Sequence, residues 1–97
     1  PEFHAAALAG IANPEKFFAP LRRLFPQLST QSFPDHESFI SNPFTQFPAN
    51  TYQLILITEK DAVKCRNWSD ERVWVVPLEA QLPDALVHWM ATKLRQV

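Results

Sequence analysis

The chain has 97 residues, an apolar fraction of 46%, three Trp and eight Phe. That is enough for one globular domain with a modest core, and too apolar for a disordered segment. Nine basic and ten acidic side chains leave a net charge of −1, which offers no basic face to nucleic acid. The lone Cys65 excludes an intrachain disulfide, no Cys/His spacing suggests a zinc site, and a reducing, cytosolic compartment fits. The longest apolar run, Ala5–Ala12, is far short of the ~20 residues that span a bilayer, and no signal-peptide pattern is visible.

Ala5–Ala9 reads as a buried strand, although its alanines are equally at home in a helix. Asn13-Pro14-Glu15 is a helix start, with Asn as cap, Pro in the first turn and Glu at the positive end. Phe17, Phe18, Leu21, Leu24 and Phe25 then share one helical face. Pro20 is expected to kink or split that helix, and Pro26 to end it. Leu28–Phe33 is a weaker strand, stopped by Pro34. Glu37–Phe47 reads as a short irregular helix leading into a loop. Gln53–Ile57 is a continuous apolar run, as in a central parallel strand covered on both faces. Glu59–Asn67 is expected to be helical and Val73–Val76 a buried strand. Pro83–Gln96 forms the last helix, with Leu82, Leu86, Trp89, Met90, Leu94 and Val97 on one side.

This alternation predicts an α/β fold: a single Rossmann-like three-layer domain over residues 1–97, with a mostly parallel sheet of about four strands and right-handed crossovers. Four strands are few for a complete doubly wound enzyme, so a piece of something larger is expected. Gly10 is the only glycine. A Walker A loop needs two glycines before its Lys, and a dinucleotide fingerprint needs three, because the backbone must wrap a phosphate closely. A nucleotide loop, if one is used, lies elsewhere.

Three segments are site candidates, each with a plainer reading beside it. In Leu54–Cys65, Thr58 can cap a helix while Asp61 reaches back to the Thr58 amide, a capping box with Asp in place of Glu. Lys60 and Lys64 share a face. Free amides at the helix start plus Lys60 could meet a phosphate; the plainer reading is a capped helix with solvated lysines. In Phe33-Pro34-Asp35-His36, an adjacent Asp and His could transfer a proton or orient a carboxylate; otherwise Asp35 caps the next helix and His36 is a surface residue. Gly10, after the first strand, could take positive φ or admit a close neighbour, or simply make a tight turn. His88 reads as a rim residue, His4 carries no partner signal, and Cys65, Trp74 and Trp89 read as core.

Three strings combine into a resemblance. Ala9-Gly10-Ile11-Ala12-Asn13-Pro14, with Phe17-Phe18 behind it, is similar to the AGIGNPxxFF segment of the lipid A 4'-kinase (tetraacyldisaccharide 4'-kinase) family. Phe33-Pro34-Asp35-His36 resembles that family's FPDH segment. Thr58-Glu59-Lys60-Asp61-Ala62-Val63-Lys64-Cys65 resembles its TEKDAVKC segment. Order and spacing agree, and the likeness runs over essentially the whole chain, matching the C-terminal part of those enzymes.

The resemblance implies an enzyme that transfers the ATP γ-phosphate to the 4'-hydroxyl of a tetraacyldisaccharide 1-phosphate in lipid A biosynthesis. It further implies Mg²⁺ as cofactor, a P-loop domain N-terminal to this one, and work at the cytoplasmic face of the bacterial inner membrane. This chain alone is expected to bind neither ATP nor metal and to be inactive. By resemblance, His36 faces the cleft and helps organise a catalytic carboxylate held by the other domain, and Asp35 orients His36 or caps a helix. Thr58, Lys60, Asp61 and Gly10 would build the cleft edge as substrate- or phosphate-binding residues. Ala12 stands where the family usually has Gly. Glu37 stands where many members have His or Tyr, and its charge is expected to favour protonated His36. The competing class is a non-catalytic α/β binding or interaction domain.

Overall fold

The computed structural model describes residues 4–35 and 37–95. Along the chain come β1 (Ala5–Ala9), α1 (Pro14–Leu24), β2 (Ser29–Ser32), a 3-10 turn (Pro43–Gln46), β3 (Leu54–Thr58), α2 (Glu59–Lys64), β4 (Val73–Val76), a second 3-10 turn (Leu78–Ala80) and α3 (Pro83–Arg95). The four strands form one sheet in the order β2-β1-β3-β4. Every pairing is parallel, with Ala6 opposite Ser29, Leu8 opposite Ile57 and Thr58 opposite Val76. The α/β expectation holds.

Alternation along β1 and β3 splits the core into two layers of side chains. Ala5, Ala7, Ala9, Leu54 and Leu56 face Phe17, Phe18 and Leu21 of α1 and Leu86 and Met90 of α3. Ala6, Leu8, Ile55 and Ile57 face Phe39, Phe44, Phe47 and Cys65. Alanine is a poor strand former in general. In β1 it is the residue that fits, because phenylalanines press on the strand from both sides. Ile55, Leu56 and Ile57 are buried almost completely, each contributing roughly 1.5–3 kcal/mol relative to exposure. β3 therefore anchors the sheet.

Several sequence expectations need correction. Pro20 does not split α1, which is a continuous helix. The carbonyl it leaves without a partner is that of Lys16, on a face where Lys16 and Ala19 are exposed and water can bond it. The helix expected over Glu37–Phe47 is reduced to the 3-10 turn Pro43–Gln46. Pro43 holds Asn42 extended, and the Asn42 side chain accepts from the Phe44 amide at 3.0 Å. No helix follows Asp35 directly, so Asp35 caps none.

α2 stops at Lys64, short of Asn67, with the Cys65 amide shared between the Asp61 and Ala62 carbonyls. β4 is not a buried strand: it has one neighbour, and Val75 is 39% exposed. On α3 the buried stripe is Leu86 and Met90, with Trp89 packed edge-on against Trp74 at 6.3 Å. Leu82 and Leu94, expected on that stripe, are 69% and 57% exposed. Gln96 and Val97 lie outside the described residues.

Candidate functional site

All four strands end on the same edge. The chain leaves β1 toward β2 and leaves β3 toward β4, so the direction of winding reverses between the carboxyl ends of β1 and β3. Open α/β sheets bind ligands at such a reversal. Gly10 follows β1 there, Thr58 ends β3, and Asp61 lies in the first turn of α2.

The Asp61 side chain is fully buried. Its two carboxylate oxygens accept from the Gly10 amide at 3.2 and 3.1 Å, and Oδ2 also accepts from the Thr58 hydroxyl at 2.8 Å. In return the Thr58 hydroxyl accepts from the Asp61 amide at 3.1 Å. The capping box is thus half formed. Asp is one methylene shorter than the Glu of a full box, and its carboxylate turns to Gly10 instead of the Thr58 amide. The anion seated against this edge is the protein's own.

Gly10 admits a close neighbour, and its φ lies outside the left-handed range. A Cβ there would meet Asp61 Oδ1 at 3.2 Å, Glu37 Cβ at 3.4 Å and the Pro34 carbonyl oxygen at 3.5 Å. The segment after β2 therefore comes close to Gly10 beside the Asp61 carboxylate. That segment is fixed by the Phe33 amide donating to the Ala9 carbonyl at 2.8 Å and the Glu37 amide to the Pro34 carbonyl at 3.1 Å. Phe33 and Phe39 stack edge-on, 5.0 Å apart.

Two lysines complete the edge. Lys60 Nζ is 3.9 Å from Asp35 Oδ1, with its side chain 58% exposed, so this pair holds little energy. Lys64 is the residue that sequence reasoning missed. It is not a solvated lysine: its side chain is 20% exposed, donates to the Gly10 carbonyl at 3.3 Å and lies 3.8 Å from Asp61 Oδ1. Its spacing of three from Asp61 was the available signal. Gly10, Thr58, Asp61 and Lys64 form one cluster, joined to Asp35 through Lys60. His36 lies outside the described residues.

A cleft of about 390 Å³ opens beside the cluster, lined by Ile11, Thr58, Glu59, Lys60, Leu78 and Gln81. Glu59 spans it, accepting from the Leu78 amide at 2.7 Å. Behind α2, burial pushes the Cys65 thiol up to about 11, with the Asp61 charge adding to the effect and Lys64 opposing it. The thiol is protonated at neutral pH and is core, as expected, and not a nucleophile. His88 is exposed on α3. His4 donates its amide to Gln53 Oε1 at 2.8 Å, at the opposite edge of the sheet. Among the described residues no three His, Cys, Asp or Glu side chains are placed to hold a metal ion. No helix among them is long and apolar enough to cross a membrane.

Comparison with known proteins bears on the whole chain. The sequence profile of the tetraacyldisaccharide-1-P 4'-kinase family matches residues 1–95. A tetraacyldisaccharide 4'-kinase of Herminiimonas arsenicoxydans is 50% identical over 93 residues, 92% of this chain and 25% of that protein. One of Janthinobacterium sp. (strain Marseille) is 48% identical over 93 residues, 92% of this chain and 26% of that protein. No solved structure matches. The chain thus spans about a quarter of the length of these relatives. With the profile covering all but its last two residues, the chain belongs to the tetraacyldisaccharide-1-P 4'-kinase family.

Proposed function

We propose that this chain is one wall of the catalytic cleft of a longer kinase. That kinase transfers the ATP γ-phosphate to the 4'-hydroxyl of a tetraacyldisaccharide 1-phosphate in lipid A biosynthesis, at the cytoplasmic face of the inner membrane. The observation that carries the reading is convergence. The three segments that resemble the family's motifs are far apart in sequence, yet Gly10, Asp35 and Thr58–Asp61 come together at one sheet edge.

ATP and Mg²⁺ do not fit the residues of this chain. It has a single glycine, its buried carboxylate Asp61 is engaged with the Gly10 amide, and Asp35 faces Lys60. Both are assigned to a P-loop domain in the rest of the protein. Phosphoryl transfer depends chiefly on positioning and charge stabilisation. A small α/β domain serves that chemistry by closing over the substrate and excluding water. In this division of labour His36 helps organise a catalytic carboxylate held by the rest of the protein, and Asp35 orients His36. Thr58, Lys60 and Gly10 shape the wall, with the Lys60 ammonium directed at phosphate.

The test is a transfer assay with ATP, Mg²⁺ and the tetraacyldisaccharide 1-phosphate, run on the longer protein and on the 97-residue chain. Activity is expected from the first and none from the second. Transfer by the 97-residue chain alone, or none by the longer protein, would overturn the reading.

A further inference from the structure

Asp61 is a buried carboxylate that the proposed chemistry does not use. Its side chain has no exposed surface, so it cannot touch a ligand in this arrangement. A carboxylate buried this deeply is costly unless its bonds are satisfied, and here all of them run to the two strand ends that flank the winding reversal. Thr58 ends β3 and Gly10 follows β1, while Lys64 bridges the Asp61 carboxylate and the Gly10 carbonyl. Gly10 in turn is the floor beneath Pro34 and Glu37.

We propose that Asp61 is a positioning residue. Its carboxylate fixes the Gly10 backbone and, across Gly10, the position of the segment that carries Asp35 and His36. The path is contiguous: the Thr58 hydroxyl and Lys64 ammonium orient the carboxylate, the carboxylate holds the Gly10 amide, and Pro34 and Glu37 lie beside Gly10, 3.5 and 3.4 Å from where its Cβ would be. The geometry of the inference is independent of the kinase reading. Its consequence for turnover rests on that reading.

Two measurements test it. Because Gly10 is the only glycine, a chain grown with isotope-labelled glycine gives a single amide resonance. In the native chain that resonance is expected far downfield and slow to exchange, as an amide bonded to a buried carboxylate. Asp61→Ala is expected to move it upfield, and in a uniformly labelled chain the Asp35 and Glu37 amides are expected to move with it while those of Val73–Val76 stay in place. Asp61→Asn keeps an acceptor for Gly10 and is expected to restore most of the native pattern. If Asp61→Ala does not fold, Thr58→Val takes its place. Movement of Gly10 with Asp35 and Glu37 unmoved would overturn the proposal.

The second measurement is turnover by the longer kinase. Asp61→Ala is expected to lower kcat between about ten- and a hundredfold, the scale of a small misplacement remote from the reacting atoms. The KM for ATP is expected to be unchanged, and Asp61→Asn to recover most of the loss. A folded Asp61→Ala kinase with native kcat would overturn it. If the native longer protein transfers no phosphate, the kinase reading fails, and the amide resonances alone decide the role of Asp61.

Discussion

Both carboxylate oxygens of Asp61 lie within 3.2 Å of the amide nitrogen of Gly10, 51 positions earlier in the chain. This one contact ties the ends of the two central strands together at the point where the winding reverses. It also bears on why the residue after β1 is glycine: a Cβ there would crowd the Asp61 carboxylate, 3.2 Å away.

Replacing Gly10 with Ala tests that explanation. The added methyl would sit 3.2 Å from Asp61 Oδ1, and Asp61 cannot swing aside without breaking its bonds to Thr58 and Gly10. Since φ is not in the left-handed range, the cost is crowding alone, about 1–3 kcal/mol. Urea unfolding of Gly10→Ala against the native chain measures it. An unchanged midpoint would show that the edge is looser than described.

The two lysines of the motif are expected to behave differently. Lys64→Met strips the buried Asp61 of its neighbouring cation and is expected to cost about 1–3 kcal/mol, somewhat below a fully buried pair. Lys60→Met removes an exposed pair at 3.9 Å and is expected to stay within about 0.5 kcal/mol. Equal effects on the thermal midpoint would contradict the division between a structural and a cleft-facing lysine.

Cys65 makes a prediction with a definite sign in pH. The folded chain keeps the thiol proton up to about 11, whereas the ordinary value is 9.0. Between those limits the unfolded chain has lost the proton and the folded chain has not. Stability therefore falls as pH rises through this window, by at most about 1.4 kcal/mol per pH unit from this group. Cys65→Ala lacks that contribution, so its stability should fall less steeply between pH 9 and 11. Identical slopes for the two proteins would argue that the thiol is not buried.

The strands of the sheet were readable because β3 is an unbroken apolar run and its charged continuation marks a strand-to-helix junction. The Thr58 cap was readable because it is local. What local patterns could not reveal was the partner of the Asp61 carboxylate, since the competing donor is the Gly10 amide, just past the end of a neighbouring strand. The same limit applies to Lys64, whose burial depends on that neighbour. Pro20 misled because the lost bond and ring clash of an interior proline fall on one carbonyl, that of Lys16, and here it lies on an exposed face. Leu82 and Leu94 have helical spacing with Leu86 and Met90, but spacing does not report how much of the stripe the core covers. For Glu37–Phe47, the expected irregular helix shrinks to a single 3-10 turn at Pro43, and nothing local shows that Phe39, Phe44 and Phe47 are buried under the sheet.

The central claim, that this sheet edge is a wall of a kinase cleft, is tested most directly by steady-state turnover of the longer protein carrying His36→Ala. The account predicts that kcat falls by about a hundredfold or more, as for loss of a group that moves or orients a proton, while the thermal midpoint stays at the native value. A native kcat in the folded His36→Ala enzyme would contradict it.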